Sequence, residues 1–247
     1  MTAASGIYVY GVVGSSHPLP PAVKGVGEPP AEIRLLPAGE LAVVVSATHP
    51  GLRARRRDLM AHQGVLLALA ESGPVLPMRF GMVAPDEATV LRDVAARQSE
   101  HTGVLERLDA RVEMNVKIMP VQDNLAALIR EDPVVRRVRE ETRRNPGYEA
   151  NVRLGEAVAA GLRRRAAVTA ARLPAEFAKA ADEMRPGPEV EGCVLNASFL
   201  VRRRNEAHFR AIAEKFAADH LDRLELRLTG PLPCYSFVGP EPTLAKV

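Results

Sequence analysis

Histidines, two cysteines and a few charges set in apolar runs are where this chain could do chemistry. His62 lies four residues after Asp58 on a stretch whose pattern predicts a helix. A carboxylate one turn away could orient an imidazole for proton transfer. The same spacing suits a helix-packing or ion-paired histidine, and no serine or cysteine nucleophile can be assigned from local sequence, which favours that plainer role. His17 and His49 each precede a proline in loops and are expected at the surface. His101 falls within an apolar stripe, as a core or boundary histidine would. His220 closes a helix, where a cation is mildly favourable.

Cys193 and Cys234 are the only cysteines, and in a cytosolic protein they are expected as buried or half-buried thiols. With no spaced Cys or His partners they match no usual zinc pattern. Gly25-Val26-Gly27 is followed by Pro29-Pro30, so no helix N-terminus can meet a pyrophosphate there. P-loop, H-E-x-x-H, G-x-S-x-G and EF-hand patterns are absent. No catalytic, cofactor or metal residues are therefore expected, and the chain is expected not to be an enzyme. Arg79 sits inside an apolar strand-like run, and Glu113 and Lys117 are four apart on another strand. A buried guanidinium needs a partner, so Arg79 is expected to pair with Glu113 and hold two halves of the molecule together.

The elements that must position these residues follow from periodicity. Ile7–Val13 is β-branched and aromatic, hence a strand. Residues 15–30 hold five prolines and form a loop; residues 33–36 and 41–47 form a hairpin turning at Pro37-Ala38-Gly39. A helix is expected over 52–71, a strand over 75–83 and a second helix from Pro85-Asp86 with Leu91, Val94, His101, Leu105 and Leu108 inward. A strand over 111–119 follows, then a helix over 123–144 kinked or split at Pro133, and a long helix from Tyr148 to about Met184 interrupted at Pro174. The chain ends with a strand over 192–201, a helix over 205–219 and a strand over 223–228, so the second half alternates β-α-β-α-β.

Charge and composition narrow the function. Arginine runs at 53–57, 136–137, 163–165 and 202–204 lie beside acidic residues, and net charge is only +3. With aromatics at 4%, solvated faces fit better than a nucleic-acid surface, which needs aromatic platforms between its cations. No apolar run approaches the ~18 residues of a membrane span, and the first residues lack a basic segment followed by an apolar one. A cytosolic protein with neither nucleic-acid nor membrane partners is expected.

Two segments look built for docking. In Leu228-Thr229-Gly230-Pro231-Leu232-Pro233-Cys234-Tyr235-Ser236-Phe237-Val238, Pro231 and Pro233 each remove a backbone donor and exclude an interior strand. Tyr235 and Phe237 would share one side of an extended chain. The other segment is Pro74-Val75-Leu76-Pro77-Met78-Arg79-Phe80-Gly81. The tail resembles the G-P-W-P-P-Y-S-F-V pattern of the gas vesicle protein L/F (GvpL/GvpF) family, departing at Leu232 and Cys234, and the second segment resembles its V-L-P-L-R-F-G pattern. In order along the chain, Ile7–Val13, Leu41–Ser46, His62, Val112-Glu113-Met114-Asn115-Val116-Lys117 and Asn145-Pro146-Gly147-Tyr148 with Gly155 resemble further family features.

The resemblance implies an α+β protein of two domains. One is an N-terminal α+β domain (1–109), the other a C-terminal modified ferredoxin-like domain (110–247) with long helices and an extended tail. It also implies a minor structural or assembly component of a gas vesicle in the cytoplasm, either a chaperone or nucleator or part of the finished wall. Its partners would be the shell-forming gas vesicle protein A and other accessory gas vesicle proteins, with self-association possible. On this reading Pro231, Leu232, Pro233, Tyr235 and Phe237 are the interaction surface, and Pro77, Arg79, Phe80, Glu113 and Tyr148 are structural motif residues. Two rivals remain: a ferredoxin-like nucleic-acid-binding module using Phe199, and an enzyme with an interdomain cleft using His62 or Cys234.

Overall fold

The computed structural model describes residues 6–21, 23–48, 52–122 and 125–239; His49 and the expected helix start at Asp123 lie outside them. The described chain divides into two compact units, residues 6–113 with 230–239, and residues 114–229. The chain passes from the first unit to the second after Glu113. The tail from Gly230, however, belongs to the first unit, not to the second as the sequence order suggested.

The first unit is built on β1 (Ile7–Gly14), β2 (Arg34–Ala38), β3 (Leu41–Ala47), β4 (Leu76–Pro77) and β5 (Val83–Ala84), in the order β2-β3-β1-β4, with β5 also on β1. Both faces of β1 are covered, which is why it carries an almost unbroken apolar run. Tyr8, Tyr10 and Val13 pack with Val65, Leu66 and Leu69 of α1 (Arg56–Ser72). Val9 and Val12 pack with Val90 and Val94 of α2 (Glu87–Ala95) and Leu105 of α3 (Gln98–Leu108). A bulge between Val9 and Gly11 shifts the register against β3 and turns Gly11 toward α1. A Cβ on Gly11 would stand 2.7 Å from the Leu76 carbonyl oxygen and 3.3 Å from Leu66, so only glycine fits.

The β2–β3 hairpin forms where expected, pairing Arg34 with Val45 through Ala38 with Leu41. The expected strand over 75–83 is instead two short strands flanking a turn at Phe80–Gly81. The expected second helix is also two, α2 and α3, with Asp86 capping the first through a 2.7 Å bond from the Thr89 N–H.

The second unit carries most of β6 (Arg111–Pro120), then α4 (Leu125–Glu131), α5 (Pro133–Arg144), α6 (Tyr148–Ala170), α7 (Leu173–Phe177), β7 (Glu183–Pro186), β8 (Leu195–Arg202), α8 (Glu206–Asp219) and β9 (Leu224–Leu232). Sheet order is β7-β8-β6-β9. With its helices this is a β-α-β-β-α-β succession, the ferredoxin-like order. The strand β7 was hidden in the sequence because it is four residues long with only alternate partial burial, and its place was taken by the expected extension of the long helix to Met184. Pro133 splits rather than kinks its helix: it occupies the first turn of α5, and the Asp132 carboxylate caps the Val134 and Val135 N–H groups at 2.9 and 3.2 Å. Phe177, Phe199 and Phe209 form the aromatic centre of this unit, with centroids 4.7–5.3 Å apart.

Candidate functional site

His62 is 2% exposed and its ring joins three parts of the first unit. Nε2 lies 2.9 Å from the Met78 carbonyl, which can only accept, so Nε2 carries the proton. Nδ1 is then the acceptor of the Tyr8 hydroxyl at 2.9 Å, and the Tyr8 oxygen accepts the Gly81 N–H at 3.2 Å. The relay leaves the imidazole neutral. Burial lowers its pKa to about 4, against the opposing bond to Met78, and burial also raises that of Tyr8. The Tyr10 ring stacks on His62 at 5.6 Å, and Phe80 meets it edge-on at 5.8 Å. Asp58 is not the partner its spacing suggested: its carboxylate accepts the Gly27 N–H at 3.1 Å. The expected helix-packing role is the one seen, and its effect is to fasten the Leu76–Gly81 segment. Gly25 has a packing cause too, since a Cβ there would lie 2.3 Å from the Tyr10 hydroxyl.

The tail is a packed element: the Tyr235 and Phe237 rings, which the sequence leaves free to face a partner or their own sheet, pack on their own unit. Pro231 and Leu232 end β9, an edge strand that tolerates the missing donor, and both are half-buried. Tyr235–Phe237 is a 3-10 turn, not an extended segment. Pro233 and Phe237 are buried, with Phe237 fully enclosed; Tyr235 is half-buried against the core around Tyr8. Glu113, 4% exposed, holds the turn: its carboxylate accepts the Ser236 N–H at 2.8 Å and the Ser236 hydroxyl at 2.7 Å. Arg107 donates to the Phe237 carbonyl. Burial, with Glu113 nearby, raises the Tyr235 pKa. Arg79 is exposed, not buried in a strand. It lies in the same unit as Glu113, so the expected inter-half pairing gives way to a Glu113–tail anchor.

The two motif segments nevertheless meet. Leu76, Pro77 and Met78 from one, and Tyr235 and Val238 from the other, wall a cavity of about 40 Å³ together with Met82 and Val104. Arg79, Arg97 and Glu100 stand around it, and the buried His101 also lines it, its Nδ1 without a hydrogen-bond partner. Burial, followed by the charge of Arg97, lowers the His101 pKa. The walls are largely apolar, and the charges around them are of both signs.

Other expected residues are placed as follows. Tyr148 opens α6 and is 84% exposed. His17, expected at the surface, is 8% exposed, its ring lying between the Pro18 and Leu69 carbonyls at 2.8 and 3.1 Å, one of which its N–H can meet. Cys193 is a half-buried and Cys234 a buried free thiol. Among the described residues no cluster of three metal-ligating side chains occurs, and no helix is long and apolar enough to cross a membrane. Phe199 is 1% exposed inside the phenylalanine cluster and offers no stacking face to a nucleic acid. Ser236 and Gly81 fall within the two family-like segments, but nothing local shows the bonds they make, and no pattern at all marks Arg107, because the partners lie far along the chain.

The family model described as gas vesicle synthesis protein GvpL/GvpF matches residues 6–239. The chain belongs to the GvpL/GvpF family. It is 42% identical to gas vesicle protein F of a Streptomyces species over 236 residues, covering 94% of this chain and 98% of that one. It is 33% identical to gas vesicle protein L of the same strain, covering 94% and 92%. The fold matches the crystal structure of the gas vesicle protein GvpF from Microcystis aeruginosa with a TM-score of 0.74 at 23% identity, over 96% of this chain and 100% of that one. The corresponding figures for GvpF from Anabaena sp. are 0.72 and 22%, over 96% and 97%. The family match spans both segments that wall the first-unit cavity.

Proposed function

We propose that this GvpL/GvpF protein is a minor structural or assembly component of the gas vesicle that binds the shell-forming gas vesicle protein A and converts no small molecule. Its place is at the vesicle in the cytoplasm, alongside other accessory gas vesicle proteins. One observation carries the reading: segments 76–81 and 235–238, far apart in sequence and both matching the family pattern, converge on one apolar-walled cavity flanked by Arg79 and Arg97. The tail shapes this docking site from behind, through Phe237 and Glu113, while Tyr235 and Val238 contribute its wall. Binding to the free subunit before polymerisation makes the protein a chaperone or nucleator; binding to the finished wall makes it a structural part.

The test is capture of shell protein A by the tagged chain, from soluble extract and from purified vesicles. Parent protein should recover it, and Arg79→Ala/Arg97→Ala should recover much less at an unchanged thermal midpoint. Recovery of nothing from both sources overturns the proposal. Recovery from extract alone marks the early role, and from vesicles alone the wall role.

A further inference from the structure

Three of the four arginine runs fit the solvated faces expected of them, as in the pairs Arg57–Glu28, Arg137–Glu141 and Arg202–Asp182. The run at 163–165 does not. Arg165 of α6 is 7% exposed. Its Nη2 donates to the Asp222 carbonyl at 2.6 Å, but Nε and Nη1 are buried and meet no acceptor. A guanidinium keeps its charge at any working pH, so three N–H bonds of a permanent cation stand unanswered. The nearby acids are already engaged, Asp132 by Arg164 at 2.5 Å and Glu131 by Arg223 at 3.6 Å.

Arg165 also lines an open pocket of about 360 Å³ between the α4–α5 corner and α6. Leu128 and Pro133 supply apolar wall, and Val134 and Val168 are 44% and 66% exposed there. Two independent features therefore coincide: a buried cation lacking acceptors, and a roomy pocket with exposed aliphatic groups.

We propose that this second-unit pocket binds a carboxylate carried on an apolar segment of a partner protein, an Asp or Glu side chain meeting Arg165 while a neighbouring apolar side chain covers Val134 and Val168. A hydrated inorganic anion would answer the guanidinium but leave the valines bare. An acidic-apolar peptide satisfies both, and a charge-assisted bond is the stronger for being shielded. The site shares no residue with the first-unit cavity, so either can fail without the other.

The probe is the blocked pentapeptide acetyl-Ala-Leu-Glu-Leu-Ala-amide, titrated into the full chain labelled with nitrogen-15 while the Arg165 Nε–H resonance is followed. The same peptide with Gln for Glu, and inorganic phosphate, are the comparisons. A saturable shift with the Glu peptide, at least tenfold weaker with either comparison, is expected. Arg165→Met should remove binding and melt no lower than the parent, since an unanswered buried cation is gone. Val168→Glu, an exposed position three residues along α6, should also abolish binding by supplying the carboxylate from the chain itself. No saturable shift at millimolar peptide, or an equal one with the Gln peptide, overturns the proposal. An equal response to phosphate overturns the partner-protein assignment in favour of a simple anion site.

Discussion

Acid should loosen this protein through His62 before it reaches the ordinary carboxylates. The folded-state pKa of His62 is about 4 against an ordinary 6.5. Above pH 6.5 the ring is neutral in folded and unfolded chains alike, and the full stability is present. Between 6.5 and 4 the unfolded chain takes up a proton that the folded chain refuses, so stability falls by about 1.4 kcal/mol per pH unit and by roughly 3 kcal/mol across the window. Below 4 both states are protonated and this contribution levels off. The proton is refused because the ring is buried: a charged imidazole would lose its hydration there, and the bond to the Met78 carbonyl, which favours the charged form, only partly offsets that loss. The assay is urea unfolding at pH 7, 6 and 5 for the parent and for His62→Gln, which can still donate to Met78 and accept from Tyr8. His101, also shifted down, and the carboxylates titrate in both proteins, so the difference between the two slopes isolates His62. The parent should lose about 2 kcal/mol more than the variant between pH 7 and 5. Parallel slopes, or an imidazole that titrates near 6.5 by NMR, would refute the buried neutral relay.

The tail should behave as core. Phe237→Ala is expected to lower stability by about 3–5 kcal/mol in thermal or urea unfolding, and Tyr235→Ala/Phe237→Ala by more; a double variant as stable as the parent contradicts the packed turn. Ser236→Ala should cost about 1–2 kcal/mol because it strips one bond from the buried Glu113 carboxylate, measurable as a shifted urea midpoint. Arg79→Ala, by contrast, should change stability by less than about 1 kcal/mol, as expected for an exposed charge, while weakening capture of shell protein A. Gly25→Ala should cost about 1–3 kcal/mol by driving a methyl against the Tyr10 hydroxyl; an unchanged thermal midpoint would show that the loop yields freely.

Local pattern carried a large share of this protein. The β2–β3 hairpin, the helix around His62, the break at Pro133 and the edge position implied by Pro231 all depend on neighbours within a few residues, where periodicity and proline act directly. Family resemblance was legible for the same reason: its segments are short runs whose order survives in any reading of the chain. Tertiary structure decided what those runs do. Whether Tyr235 and Phe237 face a partner or their own unit depends on Glu113, more than a hundred residues earlier. A local reading saw Arg79 in an apolar run and assumed burial, but the turn at Phe80–Gly81 carries its side chain outward. Arg165 sits in an arginine-rich helix like any solvated cation, and only the packing of α6 in the second unit encloses it. Hydrogen-bond partners and burial are set by contacts across the sequence, which residue type and spacing do not encode one position at a time.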